Sequence, residues 1–310
     1  MTRNNKKIAI LFLFILLLII VLYILFISFK PKTQAVTVKG LEIPLLKKNE
    51  TVTYHSGFSL CYQEEFEQAS WVAYELTAKE TVSVTTRTNK FISDPSIQSG
   101  SATQTDYAGS GYDRGHLAPA ADMGWSLQTM KESFYFSNMS PQIPSFNRGI
   151  WKQTEEQVRD WAREYGALFV TTGPVLEKGL SFIGPNKVAI PNYYYKALLR
   201  CNPSDTSAMG ILIPHAASSL SITSFYICID SLELITGIDF FHKLPDATEK
   251  RVEKNCRSGE WPLIKNNKLL TQNKTGNKES DAAQCSVITK SGLRCKRKTT
   301  NTSGRCFSHQ

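Results

Sequence analysis

The sequence predicts a mixed α+β domain, and three observations carry that prediction. Short runs rich in aromatic and β-branched residues recur through the middle of the chain, bounded by turn residues. One segment, residues 146–166, repeats apolar residues at helical spacing. The 310 residues are 42% hydrophobic and 20% charged, a globular composition that excludes wholesale disorder and leaves room for a packed core.

At the N-terminus, residues 8–29 form a 22-residue apolar run broken only by Ser28. About 20 such residues span a bilayer, whereas the core of a secretory signal is usually about 7–15. A run apolar on every face does not suit a soluble core helix. Arg3, Lys6 and Lys7 precede it and Lys30 and Lys32 follow, a slight bias toward an inside N-terminus. The expectation is a transmembrane helix at residues 1–30 that anchors the chain to a membrane, with the body extracytoplasmic, periplasmic or at the cell surface. Secretion after cleavage near Ala35 is the alternative.

Residues 31–50 read as a linker. Then "FSLCYQ" and "SWVAYELT" read as strands, and "TVSVTTRT" alternates apolar and polar as a half-buried strand would. Residues 93–112, rich in Ser, Gly, Asp and Thr, read as a long loop. "SFYFSNMSPQ" reads as a strand entering a turn. "FNRGIWKQTEEQVRDWAREYG" places Trp151, Val158, Trp161, Ala162 and Tyr165 on one helical stripe, with Gly166 as the stop. "ALFVTTGPV", "VAIPNYYYKALLR", "SAMGILIPH" and "ITSFYICI" read as further strands, and "SLELITGIDFF" as a short helix. Residues 265–282 are polar, Lys/Asn-rich and aperiodic, a linker before a tail at 283–310.

Charge is unevenly placed. Of the net +9, residues 1–39 carry +6 and residues 265–310 carry +8, which leaves −5 for residues 40–264. Global basicity is therefore weak evidence about the central domain. Of seven cysteines, Cys285, Cys295 and Cys306 lie in the tail; Cys61, Cys201, Cys228 and Cys256 could pair in an oxidising compartment, with connectivity open.

The stretch "YDRGHLAPA" sets Asp113, Arg114, Gly115 and His116 before a small apolar run. Alone, His116 could be structural and Asp113–Arg114 a surface ion pair worth little. Asn147 follows at the start of the amphipathic segment, then Glu155 and Arg159. At about 100° per residue, Glu155 lies about 80° round from Asn147 and Arg159 about 40° further, along one side of a helix. A helix cap at Asn147 and an i,i+4 pair of Glu155 with Arg159 are the plainer readings.

"YDRGHLAPAADM" followed by "FYFSNMSPQIPSFNRGIWKQTEEQVR" resembles the family of non-specific DNA/RNA endonucleases, which includes mitochondrial and secreted bacterial nucleases. The likeness runs from about residue 51 to 262 and takes in "PNYYYK" and "SLELITGIDFF". It implies a ββα-metal (His-Me finger) fold with a central antiparallel sheet flanked by helices, spanning residues 51–264. It implies hydrolysis of DNA and RNA that depends on Mg²⁺, with Mn²⁺ an acceptable substitute, leaving 5′-phosphate and 3′-hydroxyl ends. By the same resemblance His116 is the general base and Asn147 the metal ligand. Arg114 and Arg87 steady the phosphate, Glu155 holds a water of the metal, Arg159 supports that network, and Asn138 orders the site. Asp113 belongs to the signature with a structural role. Arg87, Arg114, Arg148 and Arg159 are expected to converge into a basic groove within the acidic domain.

These roles are chemically coherent. Neutral imidazole is available as a base at physiological pH, an amide oxygen suits Mg²⁺, and guanidinium groups match phosphate oxygens. Every phosphodiester presents the same atoms, so base recognition is not required. The competing readings are an envelope protein that binds nucleic acid with little catalysis, and a phosphodiesterase acting on a small substrate. In the tail, Cys285, Cys295, Cys306 and His309 follow Cys-x9-Cys-x10-Cys-x2-His, four N/S ligands that suit a structural Zn²⁺. A disulfide with one free thiol, or a disordered basic tail, competes with that reading.

Overall fold

The computed structural model describes residues 16–17, 39–202, 205–254, 258–264, 283–284 and 298–299. The chain divides into two compact units, Met1–Lys265 and Asn266–Gln310.

In the first unit, Thr53–Tyr54 (β1), Ser59–Gln63 (β2) and Gln68–Thr77 (β3) form an antiparallel edge. A loop carrying the short helix Gln104–Tyr107 (α1) leads to Asp113–His116 (β4), which pairs with Met139–Gln142 (β5) across the helix Leu127–Glu132 (α2). The helix Lys152–Tyr165 (α3) follows, and Gly166, at φ 89°, stops it. Ala167–Pro174 (β6), a small hairpin of Ser181–Ile183 (β7) and Val188–Ile190 (β8), and the long strands Tyr193–Asn202 (β9) and Asp205–Pro214 (β10) come next. Tyr226–Ile227 (β11) and the helices Ile229–Thr236 (α4) and Asp246–Lys254 (α5) complete the unit. The central sheet runs β1-β2-β3-β6-β9-β10-β11, and every pairing in it is antiparallel.

The period of two along each strand divides the core between the two faces of this sheet. Val72, Tyr74, Leu168, Val170, Tyr194 and Leu198 pack toward Trp151, Val158 and Trp161. Trp71, Ala73, Tyr195, Ala197 and Leu199 pack the other way, toward Ile229, Leu232, Phe240 and Val252. All of these are at least nine-tenths buried, and each large aliphatic or aromatic side chain so placed contributes about 1.5–3 kcal/mol. Sheet parity also puts Lys196 on the face shared by Tyr194 and Leu198, that of α3.

The structure corrects several local expectations. Residues 81–88 are not a strand but an exposed loop, with Val82 and Val84 facing solvent. The Glu80 carboxylate accepts from the Thr77 N–H and hydroxyl, closing a turn that ends β3, and Val84 and Thr85 donate to Gly124 O instead of a sheet neighbour. "VAIPNYYYKALLR" is two strands broken at Pro191, which lacks an N–H to donate. The first half of "ITSFYICI" is a 3-10 turn, Ile222–Phe225, preceded by Ser221, whose hydroxyl caps Thr223 N–H. Cys61 and Cys201 are free, and Cys228 is disulfide-bonded.

No helix among the described residues is long and apolar enough to cross a membrane. The apolar run at 8–29 lies outside the described residues, apart from Leu16 and Leu17, which are helical and exposed. In the second unit, Ala283–Gln284 (β12) pairs antiparallel with Lys298–Thr299 (β13). Cys285, Cys295, Cys306 and His309 lie outside the described residues, as does Cys256.

Candidate active site

Four residues of β4 separate into two pairs by sheet parity. Arg114 and His116 share one face, and both line a cavity of about 490 Å³ together with Arg87, Asn147, Glu155 and Arg159. Asp113 and Gly115 share the other face. Gly115 is required there by space: a Cβ would lie 2.1 Å from Cδ of Gln142, a buried residue of β5.

His116 is buried, and its Nε2 has no hydrogen-bond partner in the protein. Burial, with Arg87 and Arg114 adding repulsion, lowers its pKa to about 3. The imidazole is therefore neutral across the physiological range. Its ring stands edge-on to Phe134 at 4.9 Å, with Phe91 at 5.8 Å. The same two phenylalanines carry the flanking cations: Arg114 lies 4.0 Å over Phe91 and Arg87 lies 4.9 Å over Phe134. An aromatic brace thus fixes a base between two guanidinium groups.

Asn147 enters from the approach to α3. The expected continuous helix is interrupted there. Pro144–Phe146 makes a single turn, Asn147–Trp151 a wide π-helical one, and Gly149 is non-helical at φ −102°, ψ −114°. Asn147 Nδ2 donates to Asp113 Oδ2 at 2.9 Å. Arg148 grips both oxygens of the same carboxylate, with Nε 2.9 Å from Oδ2 and Nη2 2.6 Å from Oδ1. Burial pushes the Asp113 carboxyl up, but the bonds from Arg148 and Asn147 outweigh it and hold the group below its usual range. The anchored amide nitrogen leaves Asn147 Oδ1 as the acceptor available to a hard cation, so this donor set fits Mg²⁺, which needs few protein ligands.

Glu155 follows in the first turn of α3. Burial raises its pKa, against the pull of Lys196 and Arg159. Lys196 is fully buried; its Nζ donates to Thr172 Oγ1 at 3.1 Å and lies 4.5 Å over the Trp151 ring. Arg159 Nη1 donates to the buried carboxylate of Asp122 at 2.7 Å, which also accepts from Tyr74 Oη at 2.8 Å. The plain i,i+4 pairing of Glu155 with Arg159 is thus replaced by an ion pair from Arg159 to Asp122.

The cavity brings together His116, Arg114, Arg87, Asn147, Glu155 and Arg159, with Arg148 and Lys152 at its lining. Asn138 is not part of that lining. It is buried, accepts from Ala118 N at 2.8 Å and donates to Ala118 O and Ser133 O at 2.9 and 2.8 Å. It clips the chain two residues past His116. A smaller depression of about 280 Å³ shares Arg87 and Arg159 and continues to Arg163 along residues 81–85. Phe91, Phe134, Asp122 and Lys196 were not singled out from sequence. Only Lys196 left a trace there, as a charge inside the apolar strand "YYYKALL".

The sequence model of the DNA/RNA non-specific endonuclease family matches residues 41–247. Mitochondrial endonuclease G of Bos taurus is 32% identical over 200 residues, covering 60% of this chain and 67% of the relative. The mitochondrial nuclease of Saccharomyces cerevisiae is 30% identical over 226 residues, covering 64% and 69%. A crystal structure of the EndoG/EndoGI complex, concerned with EndoG inhibition, superposes with a TM-score of 0.60 at 31% identity, covering 65% of this chain and 89% of that one. These likenesses correct the expected location. The relatives are mitochondrial nucleases by name, which contradicts the expected membrane-anchored, extracytoplasmic placement. An apolar run of spanning length sets a capacity and not a location.

Proposed function

Because the chain belongs to the DNA/RNA non-specific endonuclease family and is an endonuclease, we propose that it hydrolyses DNA and RNA with Mg²⁺, leaving 5′-phosphate and 3′-hydroxyl ends. The observation that carries the mechanism is His116 Nε2, buried without a partner in a cavity shared with Arg87 and Arg114.

His116 Nε2 takes the proton of the attacking water. Burial is the main cause of its low basicity, and the two arginines that add to it are the groups that would hold the scissile phosphate. A phosphate between them cancels much of their charge, so substrate binding strengthens the base where it is needed. Phe91 and Phe134 keep both guanidinium groups facing the cavity without neutralising them. Asn147 Oδ1 would hold the metal, kept in place by Asp113, and Glu155 would order its water shell. Bound Mg²⁺ would supply Lewis-acid stabilisation of the charge that develops on the phosphate and the leaving oxygen. Arg159, tied to Asp122, holds the floor beneath Glu155. Backbone-directed contacts of this kind support cleavage without base preference.

Digestion of plasmid DNA and of RNA, with Mg²⁺ and with EDTA, beside His116→Ala, tests this reading. Degradation of both polymers that EDTA stops and His116→Ala reduces by roughly 100-fold or more is expected. Wild-type protein inactive with both Mg²⁺ and Mn²⁺ would overturn it and favour simple binding. For the tail, residues 283–310 after the linker 265–282, the spacing of Cys285, Cys295, Cys306 and His309 supports a structural Zn²⁺. Metal analysis of the purified chain against Cys295→Ser tests that; equal zinc content would remove the idea.

A further inference from the structure

Far from the cleft, on the opposite face of the sheet, α4 and α5 bring carboxylates together. Asp230 and Glu233 stand three residues apart on α4, and Glu253 is on α5. One carboxylate oxygen from each lies within 4.8 Å of the others. Asp230 is exposed, Glu233 half-buried, and Glu253 only 8% exposed.

Two details separate this cluster from ordinary surface acids. Glu253 Oε1 is buried with no hydrogen-bond partner. Glu233 Oε1 accepts from the Phe240 N–H at 2.8 Å, which fixes that side chain and leaves its second oxygen. Neighbouring acids act on both carboxyls. Burial, then Glu233, Glu249, Asp230 and Asp239, push the Glu253 carboxyl up to about 8. Burial, with Asp239, Asp230 and Glu249, pushes Glu233 up to about 7 against its bond from Phe240.

A buried carboxylate oxygen without a donor, beside two other carboxylates, calls for a cation or for a shared proton. A shared proton joins only two oxygens at about 2.5–2.7 Å and leaves the third group unanswered. Three oxygens within 4.8 Å of one another can share a single divalent cation. Ca²⁺ accepts irregular geometry and completes its shell with water, which the exposed side of Asp230 would admit. We infer that Asp230, Glu233 and Glu253 form a Ca²⁺ site, distinct from the catalytic cleft, that ties α4 to α5.

The tie has a mechanical role. Ile229 and Leu232 of α4 and Val252 of α5 fill the same core against Ala197, Leu199 and Ala208. The cation holds the two helices together over that core. It takes no part in phosphodiester cleavage.

The test uses the full chain and CaCl₂ as the probe. Asn147→Ala removes the cleft's proposed metal ligand and serves as the parent. Titration calorimetry of that parent is expected to show one Ca²⁺ bound, and its Tm to rise over that in EDTA. Adding Glu253→Gln abolishes both effects, while its Tm in EDTA equals or exceeds the parent's because the amide is neutral and nearly isosteric with the protonated acid. Adding Asp230→Asn, an exposed change that spares the core, weakens Ca²⁺ roughly tenfold or more. Glu253→Gln alone cleaves plasmid as the wild type does. An unchanged Ca²⁺ response in the Glu253→Gln background, or no response of the parent at about 1 mM Ca²⁺, overturns the site and leaves the shared proton as the account.

Discussion

Replacing Gly115 with alanine puts a methyl group where Gln142 already lies. The added Cβ would sit 2.1 Å from Gln142 Cδ, 2.3 Å from Oε1 and 2.4 Å from Cγ. Carbon contacts normally settle at about 3.5–4.0 Å, so the overlap exceeds about 1 Å. Gln142 is fully buried and cannot swing clear. Gly115 is not at positive φ, so the cost is steric rather than conformational. Overpacking of this kind costs about 1–3 kcal/mol, and a clash against three atoms of a buried side chain belongs at the upper end. At about 2–4 °C per kcal/mol for a domain of this size, Tm should fall by about 6–12 °C. Because Arg114 and His116 flank Gly115, the same shift of β4 displaces both. A displacement near 1 Å costs about 100-fold in rate. Thermal melts and plasmid digestion of Gly115→Ala, Gln142→Ala and the double variant measure this. The double variant should melt above Gly115→Ala, since truncation of Gln142 vacates the space the new methyl group needs. Gly115→Ala melting within about 2 °C of wild type, or a double variant whose loss is the sum of the singles, would refute the steric argument.

Arg159→Met leaves the Asp122 carboxylate buried without its cation; guanidinium denaturation should show a loss of about 3–5 kcal/mol, with Asp122→Asn partly restoring it. His116 gives a pH signature. Above pH 6.5 it is neutral folded and unfolded and contributes nothing; below 6.5 only the unfolded chain takes up the proton, until the folded value near 3 is reached. Stability therefore falls with falling pH by up to about 1.4 kcal/mol per unit, and urea melts of wild type against His116→Asn should diverge by about 2 kcal/mol between pH 7 and 5. Asp113→Ala frees both Asn147 and Arg148, so the Mg²⁺ concentration for half-maximal cleavage should rise about 10–100-fold; an unchanged midpoint would show that the anchor is irrelevant to the metal.

Much of this was legible in the chain because local pattern and tertiary need coincide. The strands β3, β6 and β10 read clearly because their apolar residues serve two buried faces at once. The family resemblance singles out His116, Asn147 and Glu155, and the structure brings all three to one cavity. What failed depended on partners distant in sequence. Residues 81–88 alternate as a strand does, but they find no sheet neighbour, and Gly124 O takes the donors of Val84 and Thr85. The helix expected from Phe146 onward is displaced by Gly149 into a wide turn, a change that periodicity cannot register. Asn138, expected to order the site, bonds main-chain atoms of Ala118 and Ser133, neither of which its own neighbourhood in sequence announces. Phe91 and Phe134 lie 25 and 18 residues from His116 on either side and carry no mark in their own neighbourhoods.

Lys196 belongs to a central strand, yet its charge is felt at Glu155 on the helix above. The catalytic segment from Asp113 to Arg159 is therefore not a portable cassette. Transplanted onto another scaffold with its spacing intact, it would arrive with Arg159 but without Lys196, the cation that acts most strongly on Glu155, and the acid would hold its proton more readily. A designer moving this activity would have to carry a lysine at the matching register of the recipient sheet, together with an aromatic ring like Trp151 to lodge it.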